Sequence, residues 1–302
     1  MTFFVRERHR AEIARGFDLV HLRALGRHTR ARLDGCDAVT TAEEVARGRY
    51  DQVFLTLPST GLRGRWLGAF VRALGDATLV ATVASPDDRE AVLAAGVDPA
   101  RLVDGLLSLV SYHAPLDGED APPGTRYWFP PGGPCLFSGP TPRTDAVVAS
   151  LARGGLPARR VDDVPRRLAL PTAALMPQLL ALEAAGWSLD AFVQPPWAGH
   201  GARAAREAIA IAETHAGSPP FGLRLLATRP WLLRVVLRIA GRLVPFPLAS
   251  YLRAHFTKVA AQTRLIVEAT VRRGASVALP VEALTALLDA VPTPAAEGGV
   301  CP

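Results

Sequence analysis

The clearest candidate for proton chemistry is a short stretch near the carboxyl terminus that contains the one lysine of the chain. The sequence has 302 residues and 34 lysines plus arginines, of which all but Lys258 are arginine. Arginine stays protonated under ordinary conditions, so lysine-based acid/base, Schiff-base or phosphate-loop chemistry depends on this residue. Lys258 could donate a proton or bind a substrate carboxylate; the alternative is a surface lysine on a helix. His255 could act as a general acid, or be an ordinary helix histidine.

The cysteines predict neither a metal site nor a disulfide framework. Cys36, Cys135 and Cys301 are odd in number and lack the Cys-x-x-Cys spacing of metal sites.

The chain opens without a signal peptide, and no run reaches the roughly 20 apolar residues that a membrane-spanning helix needs. The composition, 49% hydrophobic and 21% charged, is that of a globular protein. The sequence therefore predicts a soluble cytoplasmic protein without a metal.

The formal net charge of +6 is unevenly distributed along the chain. Residues 221–273 hold nine arginines, the single lysine and one acid, so this segment carries +9 and the remainder sums to −3. Within it, the sequence of 231–244 predicts a helix on which Arg234, Arg238 and Arg242 share one face, because they are spaced four apart. An anionic ligand or surface near the second half of the chain is the expected partner.

Three interpretations of the 231–244 helix stay open. The first is a helix buried on several sides, with a narrow polar stripe facing water. The second is a wall that binds the phosphate or carboxylate of a ligand, and the third is a helix lying on a membrane surface. Nucleic acid is not expected as a partner, since no recognised binding module or interleaved aromatic pattern accompanies the basic residues.

The first half of the chain alternates strand and helix patterns. The near-continuous apolar runs at 51–57 and 78–83 are typical of buried parallel strands. Further strands are predicted at 2–5, 101–110, 127–137 and 158–161, and helices at 7–14, 62–74, 87–95 and 145–153. This alternation predicts a wound α/β sheet.

The pattern changes near Val164, beyond which strand signals are almost absent. Helices are predicted at 166–185, 202–216, 231–244, 250–273 and 281–291, separated by prolines. The sequence thus predicts an α/β domain over 1–163, an all-α domain over 164–291 and a disordered tail over 292–302.

Several segments, taken in order, resemble the ketopantoate reductase family. The opening TFFVRERH of 2–9 resembles that family's second strand and following turn, and DQVFLTLP of 51–58 its fourth strand. TVASP of 82–86 lies where the family has a Gln-Asn-Gly turn. Residues 127–139 match its late β-hairpin, and RRGASVALP of 272–280 its closing helix. The similarity is diffuse, but it spans about residues 2 to 290 in the right order.

The resemblance implies a Rossmann-type dinucleotide-binding domain, a helical domain and a cleft between them. It also implies reduction of 2-dehydropantoate, or a related 2-oxo acid, by hydride transfer from NADPH. In this alignment Arg6 is expected to bind the 2′-phosphate of NADP, with Arg10 assisting. Pro58 and Ser85 are expected in turns beside the cofactor. For Ser85 the alternative is the N-cap of the helix that follows.

The sequence departs from the family pattern at the start. The family begins with a strand, a G-x-G-x-x-G loop and a helix, whereas this chain begins at what resembles the second strand. The missing strand would lie centrally in the sheet, so its absence is expected to expose two strand edges. We interpret this as an N-terminal truncation, with upstream DNA as the test.

The family's catalytic residues do not map onto this sequence. Its general-acid lysine falls near Pro171 and its substrate-side glutamate at Ala260. This leaves three hypotheses: a divergent NADP-dependent ketopantoate reductase, a reductase of the same fold for another 2-oxo acid, and a noncatalytic nucleotide- or anion-binding protein. In the catalytic cases Lys258 and His255 are the candidate catalytic residues. A homodimer is compatible with each hypothesis.

Overall fold

The computed structural model describes residues 1–292, which fold into two compact units. Of the described residues, the amino-terminal unit comprises 1–115 and 119–165, and the helical unit comprises 116–118 and 166–292. The tail expected to be disordered lies outside the described residues, apart from Pro292.

The amino-terminal unit contains all the strands of the described chain. They are β1 (Thr2–Phe4), β2 (Phe17–His21), β3 (Thr29–Leu33), β4 (Asp37–Val39), β5 (Gln52–Leu55), β6 (Thr78–Thr82), β7 (Leu102–Leu106), β8 (Val110–Ala114), β9 (Gly124–Trp128), β10 (Cys135–Ser138) and β11 (Ala158–Arg160). Its helices are α1 (Arg10–Arg15), α2 (Ala42–Arg47), α3 (Trp66–Ala73), α4 (Asp88–Ala94) and α5 (Thr141–Arg153).

The main sheet has the order β11-β10-β7-β6-β5. All neighbours are parallel except β7 and β10, which are antiparallel. The central strands are buried on both faces, as their unbroken apolar sequences predict. Leu79 and Val80 of β6 and Val103 of β7 are completely buried.

Two smaller sheets accompany the main sheet. One has the order β3-β2-β9-β8, and the other consists of β1 and β4 in parallel. Strand β1 pairs with β4 alone, and β5 pairs with β6 alone, among the strands of residues 1–292. Each of these strands therefore has one edge without a strand partner, as the sequence predicts. The Phe4 ring stacks on Phe70 of α3 with centroids 4.8 Å apart, which ties β1 to the helix after β5.

Some predicted elements are wrong. Segment 127–137 is not one strand, because the Pro- and Gly-rich turn at 130–134 separates β9 from β10. These two strands lie in different sheets, so they do not form the expected hairpin. Segment 101–110 is likewise not one strand, because β7 ends at Leu106 and β8 starts at Val110. The sequence analysis did not find β2, β3 or β4.

The helical unit is built from α6 to α13. Their bounds are α6 (Val164–Ala184), α7 (Leu189–Phe192), α8 (Trp197–Ala216), α9 (Phe221–Thr228), α10 (Pro230–Leu243), α11 (Leu248–Lys258), α12 (Ala260–Ser276) and α13 (Glu282–Ala290). The predicted single helix over 250–273 is two helices, which meet at Val259 in a non-helical conformation. None of these helices, within residues 1–292, is long and apolar enough to cross a membrane.

The core of the helical unit lies around α8. This helix buries a row of alanines, and their small side chains let neighbouring helices approach closely. Leu180 of α6, Ile209 of α8 and Leu284 of α13 are almost fully buried in the same cluster. In contrast, α10 has no buried residue. The interpretation of 231–244 as a helix buried on several sides is therefore wrong.

Candidate functional site

The loops that follow β5 and β6 are joined by one buried carboxylate. The two strands are adjacent and parallel, so both loops leave the same edge of the main sheet. Asp88 begins α4 and is fully buried. Its Oδ2 atom accepts the Ser59 hydroxyl at 2.7 Å. The same oxygen accepts the backbone N–H groups of Ala84 and Ser85, each at 2.9 Å.

Arg63 supplies the opposite charge to this carboxylate. Its Nη1 atom lies 3.0 Å from Oδ1 of Asp88 and also donates to the Ser59 carbonyl at 2.6 Å. The Arg63 side chain keeps 32% of its surface exposed, so the pair spans from the interior to water. A buried charge is tolerated when it is paired and hydrogen-bonded, and both oxygens of Asp88 meet this condition.

Two of the predicted cofactor-binding residues, Pro58 and Ser85, lie at this edge. Pro58 starts the loop after β5, where its carbonyl accepts the Gly61 N–H at 2.8 Å. Ser85 is only 3% exposed, and its hydroxyl accepts the Asp87 N–H at 3.3 Å. This bond orders the turn before α4, whose N-cap is Asp87, so the interpretation of Ser85 as the N-cap is wrong. In wound α/β sheets, ligands bind outside the carboxyl ends of the strands, and this edge is the candidate cofactor-binding edge.

Arg10, the predicted helper in phosphate binding, is occupied by contacts within the protein. Its Nε donates to Glu7 at 3.0 Å, and its Nη1 donates to the Ala38 carbonyl at 2.9 Å. Its Nη2 reaches Thr40 at 2.9 Å and Glu44 at 3.2 Å. These bonds fasten the turn after β1 to β4 and α2. In the described structure, Arg10 thus acts as a cross-link between elements.

Arg6 lies at the end of β1 and takes no part in the contacts that occupy Arg10, so its guanidinium is available to bind a ligand. It follows the strand in an extended conformation and is half-buried. Within residues 1–292 its side chain makes no ion pair, in contrast to Arg10. An anion beside this turn would find a guanidinium ready for a charge-assisted bond.

A second buried acid lies inside the main sheet. Asp104 of β7 is 1% exposed and is paired with Arg89. Burial raises the pKa of Asp104 to about 6, although the charge of Arg89 acts in the opposite direction. Perturbed acids are common at functional sites but also occur in structural ion pairs. Because the Asp104 carboxyl lies within the strand, we interpret its contact with Arg89 as a structural ion pair.

The predicted catalytic residues His255 and Lys258 lie one turn apart on α11, in the helical unit. The imidazole stacks on the ring of Tyr251 with centroids 5.4 Å apart. Burial, and then the charge of Lys258, lower the pKa of His255. Burial raises the pKa of Tyr251 to about 12. Lys258 itself is exposed. The surroundings of His255 on this helix therefore disfavour the charged form of its imidazole.

Sequence analysis missed Asp88 and Arg63. A signal for Asp88 exists in the spacing Ser85-x-x-Asp88, because an acid can reach back to the backbone N–H three residues earlier, as the acid of a capping box does. The contact between Ser59 and Asp88 has no sequence signal, because 29 residues separate the two. No group of three or more side chains suited to hold a metal ion occurs in residues 1–292.

Comparison with known proteins gives no match to a family model and none to a curated protein sequence. Solved structures do match. A ketopantoate reductase of the PanE/ApbA family from Ralstonia eutropha JMP134 superposes with a TM-score of 0.65 at 17% identity, over 95% of this chain and 88% of that chain. The 2-dehydropantoate 2-reductase from Geobacter metallireducens GS-15 gives 0.64 at 16% identity, over 96% and 90%.

The chain has the ketopantoate reductase fold. The predicted fold class, a Rossmann-like domain followed by a helical domain, is confirmed. D-mandelate dehydrogenase, solved with NADH and anilino(oxo)acetate, shares this fold with a TM-score of 0.63 at 13% identity, over 95% of this chain and 87% of that chain. The ketopantoate reductase fold thus holds enzymes named for different substrates, and at these identities the likeness defines the fold.

Proposed function

We propose that this protein is an NADPH-dependent reductase of 2-oxo acids, with 2-dehydropantoate or a close analogue as substrate. The observation that carries the proposal is the ketopantoate reductase fold over 95% of the chain. It is supported by the shared carboxyl edge of β5 and β6, where Asp88 holds two loops together. D-mandelate dehydrogenase supports the wider class of 2-oxo acid chemistry.

In this proposal Arg6 is the residue that recognises the adenosine phosphate of NADPH. It is half-buried, follows a strand and lacks an internal ion pair in the described chain, so the residues present fit a phosphate there. Arg10 holds the turn in place through Glu44 and Ala38. Pro58 and Ser85 shape the loops toward the rest of the cofactor, and Asp88 acts as a positioning residue for them.

The bound cofactor supplies a hydride. Reduction of a 2-oxo acid also needs a proton at the carbonyl oxygen, so that the 2-oxo group becomes a 2-hydroxyl group. We assign this proton to Lys258, because the lysine side chain is a donor, whereas burial lowers the pKa of His255 and so disfavours the imidazolium that would have to donate.

A noncatalytic nucleotide-binding protein is the second candidate. One observation favours it: Lys258 is exposed at the end of α11 and makes no hydrogen bond within residues 1–292. A protein of this kind would bind NADPH through Arg6 and the loops at Pro58 and Ser85, without turnover.

Two measurements on the same protein separate the candidates. Calorimetric titration with NADPH measures binding, and loss of NADPH fluorescence after addition of 2-oxo acids measures turnover. We expect binding followed by oxidation with 2-oxo acids, and no oxidation with the matched 2-oxo amides that lack the carboxylate. Binding without oxidation by any acid would support the noncatalytic candidate, and absence of binding would contradict both.

A further inference from the structure

The helix α10 presents an apolar face to solvent. Trp231 is 61% exposed, Val235 44%, Ile239 50% and Leu243 67%. These four side chains are spaced four apart, so they follow one face of the helix over its length. Isolated exposed apolar residues are ordinary, but a continuous row of them indicates an interaction surface.

The opposite side of α10 is anchored to the protein. Leu233 and Leu237 pack against the core of the helical unit. Arg234 donates from Nη2 to the Val193 carbonyl at 2.6 Å, which fixes the helix at its first turns. The exposed row is therefore the outer face of a helix that is attached along its inner face.

This outer face is also basic. Arg238 and Arg242 are exposed beside the apolar row. The segment 221–273 carries +9 and contains one acid, Glu268, whose carboxylate is already bonded to Arg264 at 3.0 Å. Neither α9 nor α10 contains an acid that could neutralise these arginines.

We propose that α10 is the site at which this protein binds an anionic lipid surface. The helix would lie in the plane of the membrane, with Trp231, Val235 and Ile239 entering the region below the headgroups. Arg238 and Arg242 would lie at headgroup level, where they meet phosphate groups. This combination of an apolar face, flanking arginines and a tryptophan is the composition of interfacial helices.

Charge decides against a second copy as the occupant. Two copies meeting through this face would bring Arg238 and Arg242 together with the same arginines of the partner, with no acid on the helix to pair with them. An anionic membrane carries negative charge over an extended area. Its apolar interior can also accommodate all four exposed apolar side chains of α10. Membrane binding is independent of the proposed reductase activity.

Vesicle sedimentation of the full chain tests the proposal. Neutral phosphatidylcholine vesicles are compared with vesicles of equal phosphatidylcholine and phosphatidylglycerol. We expect binding to the anionic vesicles that weakens strongly in about 0.5 M salt, because salt screens the arginines. A blue shift of tryptophan fluorescence that is lost in Trp231→Ser would place Trp231 in the lipid.

Two double variants separate the apolar from the charged contribution. Val235→Ser with Ile239→Ser is expected to weaken binding at least about tenfold. Arg238→Gln with Arg242→Gln is expected to weaken it about 30-fold, on anionic vesicles alone. Leu25→Ser is the matched control, because Leu25 is 91% exposed but lies in the amino-terminal unit, and it should bind as the wild type does.

Three results would overturn the proposal. They are no sedimentation with anionic vesicles, unchanged binding by both double variants, and conversion of a wild-type dimer to monomer by the apolar variant in light scattering. The last result would assign the face to a second copy. Circular dichroism checks each variant; if the apolar variant fails to fold, the arginine variant decides.

Discussion

The Ser59 hydroxyl donates a 2.7 Å hydrogen bond to the buried Asp88 carboxylate, and this bond joins the loop after β5 to the loop after β6. The two residues come from different strand ends, so the contact fixes the spacing of the edge at which we propose that the cofactor binds. Its loss should affect both stability and binding.

Replacing Asp88 with Asn should destabilise the protein by about 3 kcal/mol, since it removes the charge that Arg63 and two backbone N–H groups bind. The cost should lie at the low end for a buried pair because Arg63 is partly exposed. Urea unfolding measures the change. Glu90→Gln, an exposed acid on the same helix, is the control, and an equal effect of both variants would remove the special role of Asp88.

Arg6→Ala should weaken NADPH binding at least about tenfold while changing NADH binding about twofold or less, because a charge-assisted bond to the 2′-phosphate exists with NADPH alone. Parallel titrations with both nucleotides measure this ratio. Arg8→Ala is the matched control, since Arg8 is exposed and belongs to the same turn. Equal losses for both nucleotides would contradict the phosphate role of Arg6.

The stability of the protein should respond to Asp104 between about pH 4 and pH 6. Its pKa is raised to about 6 in the folded state, so the unfolded state loses its proton first as pH rises, and folding weakens across this window. An asparagine side chain has no such titration, so the free energy of unfolding of Asp104→Asn relative to wild type should rise by about 2 kcal/mol from pH 4 to pH 6. Thermal unfolding at both pH values measures it; a difference that does not change with pH would contradict the raised pKa.

Substitutions of Lys258 distinguish its two proposed roles. If Lys258 donates the proton, Lys258→Arg and Lys258→Met should both lower kcat about 100-fold or more, because arginine keeps the charge but does not release a proton. If it binds the substrate carboxylate, Lys258→Arg should retain kcat and Lys258→Met should raise KM. Arg253→Met, an exposed cation on the same helix, controls for loss of charge. Unchanged kinetics in both Lys258 variants would exclude Lys258 from the reaction.

Much of the fold is predictable because its signals are local. The strand at 78–83 and the change to helices near Val164 follow from apolar runs and periodicity, and the structure has β6 and α6 there. Strand β3 escaped prediction because it carries polar, exposed residues such as Arg30 and Arg32, so its pairing with β2 rather than its composition makes it a strand.

The site is less predictable because it depends on contacts between distant segments. Whether an arginine is available for a ligand depends on the acids near it in space. Arg6 and Arg10 have similar sequence surroundings, yet Arg10 bonds to Glu44, which is 34 residues away. The exposure of α10 has the same origin, since its sequence fits a buried helix and a surface helix equally well.

The most direct test of the proposed function is to measure whether the hydride of NADPH is transferred to the product. The protein is incubated with NADPH that carries deuterium at C4 and with a 2-oxo acid such as 2-dehydropantoate, and the product is examined by mass spectrometry. The proposal predicts a 2-hydroxy acid with deuterium at C2. NADPH bound by the protein, with the 2-oxo acids recovered unreduced or reduced without deuterium, would contradict it.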